Sequence, residues 1–329
     1  MRLYNVDLHI SVIRDLQDIF AELGHTIDSD SLSGHTWVME IPKASIPLLE
    51  ANINQIVEKE LWKDFHREYK GKLKEYDAFV VTYPPLFSML FKEFNKPIIL
   101  QIPIRYDWNV VEKPKELAIF HEFLKQDNVF CCANNMLDKM YFEDRVGKTC
   151  EYIPSLCRYT GMKYNPTRTD FLVYDNARMF DISNTVNRST LQRHKWSDIE
   201  KFKGVIHVPY NTSTMSIFEA YQAGIPLFVP DRYLLLEWFD RHFMVLHQCF
   251  WSSNQHGRFG FQTMWNALEY ADYYSEEFPS IITFSSVADL EAKMNDSGMI
   301  AAVAARMKTD VERLNKKVVA AWKNKIASL

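Results

Sequence analysis

Residues 204–230 read Gly-Val-Ile-His-Val-Pro-Tyr-Asn-Thr-Ser-Thr-Met-Ser-Ile-Phe-Glu-Ala-Tyr-Gln-Ala-Gly-Ile-Pro-Leu-Phe-Val-Pro, and their order decides the fold. A short apolar run predicts a buried strand, a hydroxyl-rich run a turn, an amphipathic stretch one helix, and a second apolar run another buried strand. Asn211, Thr212, Ser213, Thr214 and Ser216 fall at the turn into the helix and along its first turn. Backbone N–H groups there lack intrahelical partners and attract anions. Glu219 follows inside the helix, which Gly224 and Pro226 end. A strand-to-helix turn of this kind in an α/β sheet is where ligands bind.

The same grammar runs outward in both directions. Residues 2–8 read as a first strand, and Ser11 as the cap of a helix carrying Val12, Ile13, Leu16, Ile19, Phe20 and Leu23 on one face. Thr36–Ile41 alternates like a strand, and residues 45–69 read as one helix with Pro47 in its first turn. Asp77–Tyr83, Pro97–Ile104 and Val129–Ala133 are mostly apolar and predict buried parallel strands. Helices are expected at Leu86–Phe94, near 114–126, and after Asn134 or Asn135. After a linker at 155–168, Phe171–Tyr174 opens a second unit. It continues through the 204–230 segment, helical stretches at 231–243 and 261–271, and a strand at Ile281–Phe284. The expected class is α/β, two Rossmann-like doubly wound domains facing a cleft, with a long final helix. The expected boundaries are 1–155, 156–300 and 301–329, the last a helix packing across or back onto the domains.

Composition narrows the class of partner. The 329 residues are 47 % hydrophobic and 14 % aromatic, enough for two sizeable cores. A formal net charge of −4 gives no basic field, so nucleic acid is not expected. Cys131, Cys132, Cys150, Cys157 and Cys249 have no metal-ligand spacing and read as reduced thiols. The N-terminus lacks a signal-peptide pattern and no apolar run reaches the roughly 18 residues of a membrane helix. The expected location is cytoplasmic. Gly-x-Gly-x-x-Gly, phosphate-loop and Gly-x-Ser-x-Gly motifs are absent, which argues against a dinucleotide oxidoreductase, an NTPase and an α/β-hydrolase. Asp28-Ser29-Asp30 reads as a polar loop with local hydrogen bonds rather than a metal site. His242 and His247 have the wrong spacing for joint metal ligation on a helix.

Glu219-Ala220-Tyr221-Gln222-Ala223-Gly224-Ile225-Pro226 matches the Glu-Ala-x-x-x-Gly-x-Pro pattern of GT-B nucleotide-sugar glycosyltransferases, and the two-domain layout resembles theirs. The resemblance implies that Glu219 holds the nucleotide ribose and that Asn211, Thr212 and Ser213 meet the phosphates or donor sugar. Many retaining members carry a glutamate at the position of Asn211. An amide carries no charge, and the expected course is inverting. Some inverting members place a catalytic histidine where His9 ends the first strand, and its near-neutral pKa suits deprotonation of a hydroxyl. Asp107, in the turn after a strand, is the carboxylate expected to orient it. Asp7 is read as pointing to the opposite side or into the strand's packing.

The leaving diphosphate needs neutralisation, for which helix N-terminal amides and arginines serve. Arg178 leads, ahead of Arg188, Arg193 and Lys195. His207 and Tyr210 are read either as packing near the nucleotide base or sugar, or as core residues. The reading is a metal-independent glycosyltransferase without cofactor, with a nucleotide-diphosphate sugar as donor and a glycan or other hydroxylated acceptor. A nucleotide-sugar epimerase and a non-catalytic binding or scaffold protein on the same architecture remain the alternatives.

Overall fold

The computed structural model describes residues 1–174, 182–192, 194–240, 265 and 268–329. Arg178, Arg193, His242, His247 and Cys249 lie outside the described residues, as do 241–243 of the helical stretch expected at 231–243 and 261–264, 266 and 267 of that expected at 261–271. The chain divides into two units, Met1–Ser155 with Val318–Leu329, and Leu156–Lys317.

The first unit is built on a six-stranded parallel sheet in the order β2-β1-β3-β4-β5-β6. Its strands are β1 (Arg2–Asp7), β2 (Thr26–Ser31), β3 (Ala78–Val81), β4 (Ile98–Ile102), β5 (Val129–Ala133) and β6 (Glu151–Tyr152). Helices α1 (Ile10–Glu22), α2 (Pro47–Glu50), α3 (Leu61–Leu73), α4 (Pro114–Leu124) and α5 (Met136–Val146) connect them. The central strands β3 and β4 are buried at every position, as a parallel sheet covered on both faces requires. Asn135 caps α5, its side chain accepting from the Asp138 N–H.

Several local expectations are corrected. The second strand is β2, not Thr36–Ile41, which instead forms a 3-10 turn over Thr36–Met39. The sequence Thr-Ile-Asp-Ser-Asp-Ser carries no run of apolar residues because β2 is an edge strand whose side chains pair with polar neighbours. Asp28 meets Arg2 at 2.7 Å and the Tyr76 hydroxyl at 2.7 Å, Asp30 accepts from Tyr4 and from Lys72 at 2.6 Å, and Ser29 donates to Asn5 at 2.7 Å. Asp28-Ser29-Asp30 is therefore strand rather than loop. Helix α1 begins at Ile10 with His9, not Ser11, at its N-cap, because Ile10 turns into the core as the first helical residue. The stretch 45–69 is two helices, separated by turns that end at Glu60 in the left-handed region (φ 49°). Pro85–Phe94 is 3-10 rather than α-helix.

The second unit holds a five-stranded parallel sheet in the order β11-β10-β9-β7-β8. The strands are β7 (Phe171–Tyr174), β8 (Thr185–Asn187), β9 (Val205–His207), β10 (Leu227–Pro230) and β11 (Ile282–Phe284). The helices are α6 (Trp196–Ile199), α7 (Met215–Gln222), α8 (Arg232–Asp240), α9 (Val287–Asn295) and α10 (Ser297–Ala327). A Cβ at Gly204 would stand 3.0 Å from the Pro226 carbonyl and 3.1 Å from the Phe171 ring, so any larger residue at the entry to β9 would force its neighbours to give by a few tenths of an ångström. Gly224 takes φ +74° behind α7. Its N–H donates to Tyr221 O and that of Ile225 to Ala220 O, the paired bonds of a Schellman stop. Among the described residues no helix is long and apolar enough to cross a membrane.

In each sheet the strand order reverses at one point, between β1 and β3 in the first and between β7 and β9 in the second. In an open α/β sheet that crevice, beyond the carboxyl ends of the strands, is the place for a ligand.

Candidate active site

In the second unit β9 ends at His207 and delivers the chain into the polar turn at the sheet's reversal. Asn211, Thr212, Ser213 and Thr214 are all buried. The Asn211 amide oxygen accepts the Thr212 N–H at 2.8 Å, and the Thr212 carbonyl accepts the Asp272 N–H at 3.0 Å. Thr214 is the N-cap of α7 in extended conformation, yet its side chain does not cap. Its hydroxyl pairs instead with His207 Nε2 at 3.3 Å and with the Ser216 hydroxyl at 3.2 Å. The start of α7 therefore lacks a side-chain cap from its N-cap residue, and its N–H groups attract anions.

Glu219, one turn further along α7, is buried. Its carboxylate accepts the Tyr159 hydroxyl at 2.6 Å, and Tyr159 lies edge-on to Trp196 with ring centroids 6.3 Å apart. Burial pushes the Glu219 pKa up, while the Tyr159 bond and the charge of Arg188 pull it down. Arg188 gathers the rest. Its guanidinium lies 4.6 Å from the centroid of the Tyr174 ring, and its charge acts on His207 and Tyr210 as well as on Glu219. The ring of Tyr174 stands edge-on to His207 at 5.8 Å. Burial, helped by Arg188, lowers the His207 pKa to about 3 and keeps this imidazole neutral. Tyr210 stands at the edge of exposure. The structure thus collects His207, Tyr210 and Glu219 about one arginine, with Asn211–Thr214 in the adjoining turn.

In the first unit His9 follows β1 at the other reversal. The Leu8 N–H donates to the Tyr83 carbonyl at 2.7 Å, and the His9 and Tyr83 rings meet edge-on at 6.2 Å, ahead of the cis bond from Tyr83 to Pro84. His9 reaches solvent, but the packing around its imidazole, together with the charge of His35, lowers its pKa. Asp107 does not meet His9. It accepts the Tyr141 hydroxyl at 2.6 Å and faces Arg105 and Arg145, while burial raises its pKa. The carboxylate beside His9 is Asp7, fully buried in the packing between β1 and β2. It accepts the Ser31 hydroxyl at 2.6 Å, faces the backbone N–H of His9, and is pushed up to about 7 by burial.

Tyr159 was invisible to sequence reasoning because it lies in the stretch read as a linker, in a short 3-10 turn at the start of the second unit, where no periodicity marks a residue. Arg188 stood in the sequence as one arginine among several. Only the parallel pairing of β8 with β7 and of β7 with β9 brings it to the turn.

No family model matches this chain, and no curated protein matches it. Solved structures do. The glycosyltransferase SnogD from Streptomyces nogalater matches over 99 % of this chain and 98 % of its own, at 11 % identity and a TM-score of 0.50. The fold is that of the GT-B glycosyltransferases. The glycotransferase of kitacinnamycin (11 % identity, 99 % and 98 % coverage, TM-score 0.47) matches more loosely. So does the spinosyn rhamnosyltransferase SpnG complexed with spinosyn aglycone (10 %, 98 % and 100 %, 0.47). At 11 % identity the likeness to SnogD establishes the fold and nothing about substrate.

Proposed function

We propose that this chain is a glycosyltransferase that moves a sugar from a nucleotide-diphosphate donor to an acceptor hydroxyl. The observation that carries the reading is the buried Glu219 beside a polar helix start and Arg188, all at the reversal of the second sheet. A carboxylate one turn into the helix suits the two hydroxyls of a ribose. The uncapped start of α7 and the Asn211–Ser213 turn suit the diphosphate. Arg188, whose charge acts on Glu219, His207 and Tyr210, supplies positive charge for the leaving diphosphate. His207 stays neutral and holds the Thr214 hydroxyl.

The transfer proceeds with inversion. An acceptor hydroxyl gives its proton to His9, its oxygen bonds to the anomeric carbon, and the anomeric C–O bond to the diphosphate breaks with its electron pair leaving on the phosphate. The lowered pKa of His9 keeps the ring unprotonated, and so able to act as base, at neutral pH. Arg188 and the α7 amides stabilise the departing charge, and no divalent cation is required. Asp107, bound to Tyr141, serves the acceptor-side framework. Titration calorimetry with UDP-, GDP- and TDP-sugars tests the reading. One of them binds in the presence of EDTA, and Glu219→Ala weakens that binding about tenfold or more. No binding by any of them, or an unchanged affinity in the variant, overturns it.

A further inference from the structure

Two tryptophans at the carboxyl edge of the first sheet stand in the open, Trp37 at 48 % exposure and Trp108 at 42 %. Indole is among the most costly side chains to leave in water, and each lies on a loop several of whose other side chains are buried or hydrogen-bonded. After β2, Ser31 donates to Asp7, the Ser33 N–H donates to the Ser31 hydroxyl at 3.3 Å, and the His35 N–H donates to the Ser33 hydroxyl at 3.1 Å. The Leu32 N–H donates to the Asp7 carbonyl and the Ala44 N–H to the Ser31 carbonyl, both at 2.8 Å. Ser31, Ser33 and Thr36 turn inward and are buried, which leaves His35 and Trp37 outward. After β4 the pattern repeats. Tyr106 and Asp107 are buried and bonded to His121 and Tyr141, the Val110 N–H closes the turn on the Asp107 carbonyl at 2.8 Å, and Trp108 is turned out. These are built loops that present an aromatic face, not loops that failed to bury one.

Their placement gives the use. The strand order β2-β1-β3-β4 puts the Trp37 and Trp108 loops on either side of the His9 and Tyr83 loops. Three strand spacings of about 4.8 Å separate the flanking strands, on the order of 14 Å, a distance that a short saccharide spans. The groups that this edge brings near them are the imidazole of His9, whose ring meets that of Tyr83, and the imidazole of His35, whose charge reaches His9. Flat aromatic faces at the ends, with hydrogen-bonding groups between, match a molecule whose rings have C–H faces and hydroxyl edges. An apolar acceptor would be served by an apolar centre, where this edge places His9 and His35.

We propose that the acceptor is a carbohydrate, held at this edge by stacking on Trp37 and Trp108 with its hydroxyls toward His9 and His35. The role as acceptor rests on the glycosyltransferase reading; the binding of saccharide does not. Saturation-transfer NMR on the full chain without donor tests it, with methyl glycosides of glucose, galactose, mannose, N-acetylglucosamine, rhamnose and fucose, with lactose and maltose, and with the flavonoid naringenin. At least one saccharide binds, Trp37→Ala and Trp108→Ala each weaken it about tenfold, and Trp37→Phe and Trp108→Phe recover most of the affinity. Both alanine variants keep the wild-type circular dichroism, since neither ring is in the core. No saccharide binding, saccharide binding indifferent to both alanine variants, or binding of naringenin alone overturns the proposal. Donor calorimetry is independent. Saccharide binding through the tryptophans with no nucleotide-sugar binding would sink the transferase and leave the carbohydrate site standing.

Discussion

Asp7→Asn is expected to change how stability depends on pH, and the structure gives the size of the change. The Asp7 carboxyl is fully buried, with one oxygen bonded to Ser31 and the other without a hydrogen-bond partner. Its pKa rises from 3.8 in the unfolded chain to about 7 in the fold. Between those values the folded protein keeps a proton that the unfolded chain has released, so stability falls as pH rises from 4 to 7 and is level above. At about 1.4 kcal/mol per pH unit the loss from this one group is about 4 kcal/mol. Asparagine has nearly the same shape and keeps an oxygen for Ser31, but it does not ionise. Its amide hydrogens go unmet, which costs about 1–3 kcal/mol at every pH. The variant is therefore less stable than the wild type near pH 4, gains about 4 kcal/mol on it between pH 4 and 7, and ends about 1–3 kcal/mol more stable than it at pH 8. Urea unfolding of both proteins from pH 4 to 8 measures this, and only the difference between them matters, since all other titrating groups cancel. A difference that stays constant with pH would refute the reasoning, because Asp7 would then ionise alike in both states.

Three further outcomes follow from the sites. His9→Ala abolishes transfer and leaves donor affinity within about twofold, and in the wild type the acid limb of kcat/KM lies below pH 6.5 because desolvation lowers the His9 pKa; steady-state kinetics across pH read both. Arg188→Gln lowers kcat by about 100-fold or more through loss of charge on the leaving group, an effect a mere packing role would not give if Arg188→Lys recovers part of the rate. Tyr159→Phe removes the hydroxyl bonded to Glu219 and weakens donor binding about two- to tenfold, seen by calorimetry.

The sequence was most legible where a strand is buried on both faces. Ala78–Val81, Ile98–Ile102 and Val129–Ala133 leave an apolar signature, interrupted only by Gln101, because both sides of a parallel sheet are covered. It was least legible at β2, whose side chains answer to Arg2, Tyr4, Asn5 and Lys72, pairings that arise only once strands have met. The helix expected over 45–69 misled because apolar spacing continues through the turn that Glu60 makes. The donor-side turn could be read directly, since strand, polar run and helix are contiguous in the chain. What surrounds it could not. Tyr159 and Arg188 reach Glu219 across sequence separations that no local pattern encodes. Likewise Asp107 stood in the right kind of loop to orient a histidine, but Tyr141, from a later helix, takes its carboxylate.

The polar edge strand has a consequence for the order in which the first unit opens. β2 is joined to the sheet along β1 alone, and most of its side-chain partners are ions or hydroxyls that water can replace. It forms the cheapest cooperative unit to detach, while β1, β3 and β4 stay clamped by their buried faces. Hydrogen exchange of the Thr26–Ser31 amides would thus run through a partial opening, faster at high salt, with the rest of the sheet intact. Whatever leaves with β2 leaves with the loop hung from it, so His35 and Trp37 can be released and redocked without unfolding the strand that bears His9.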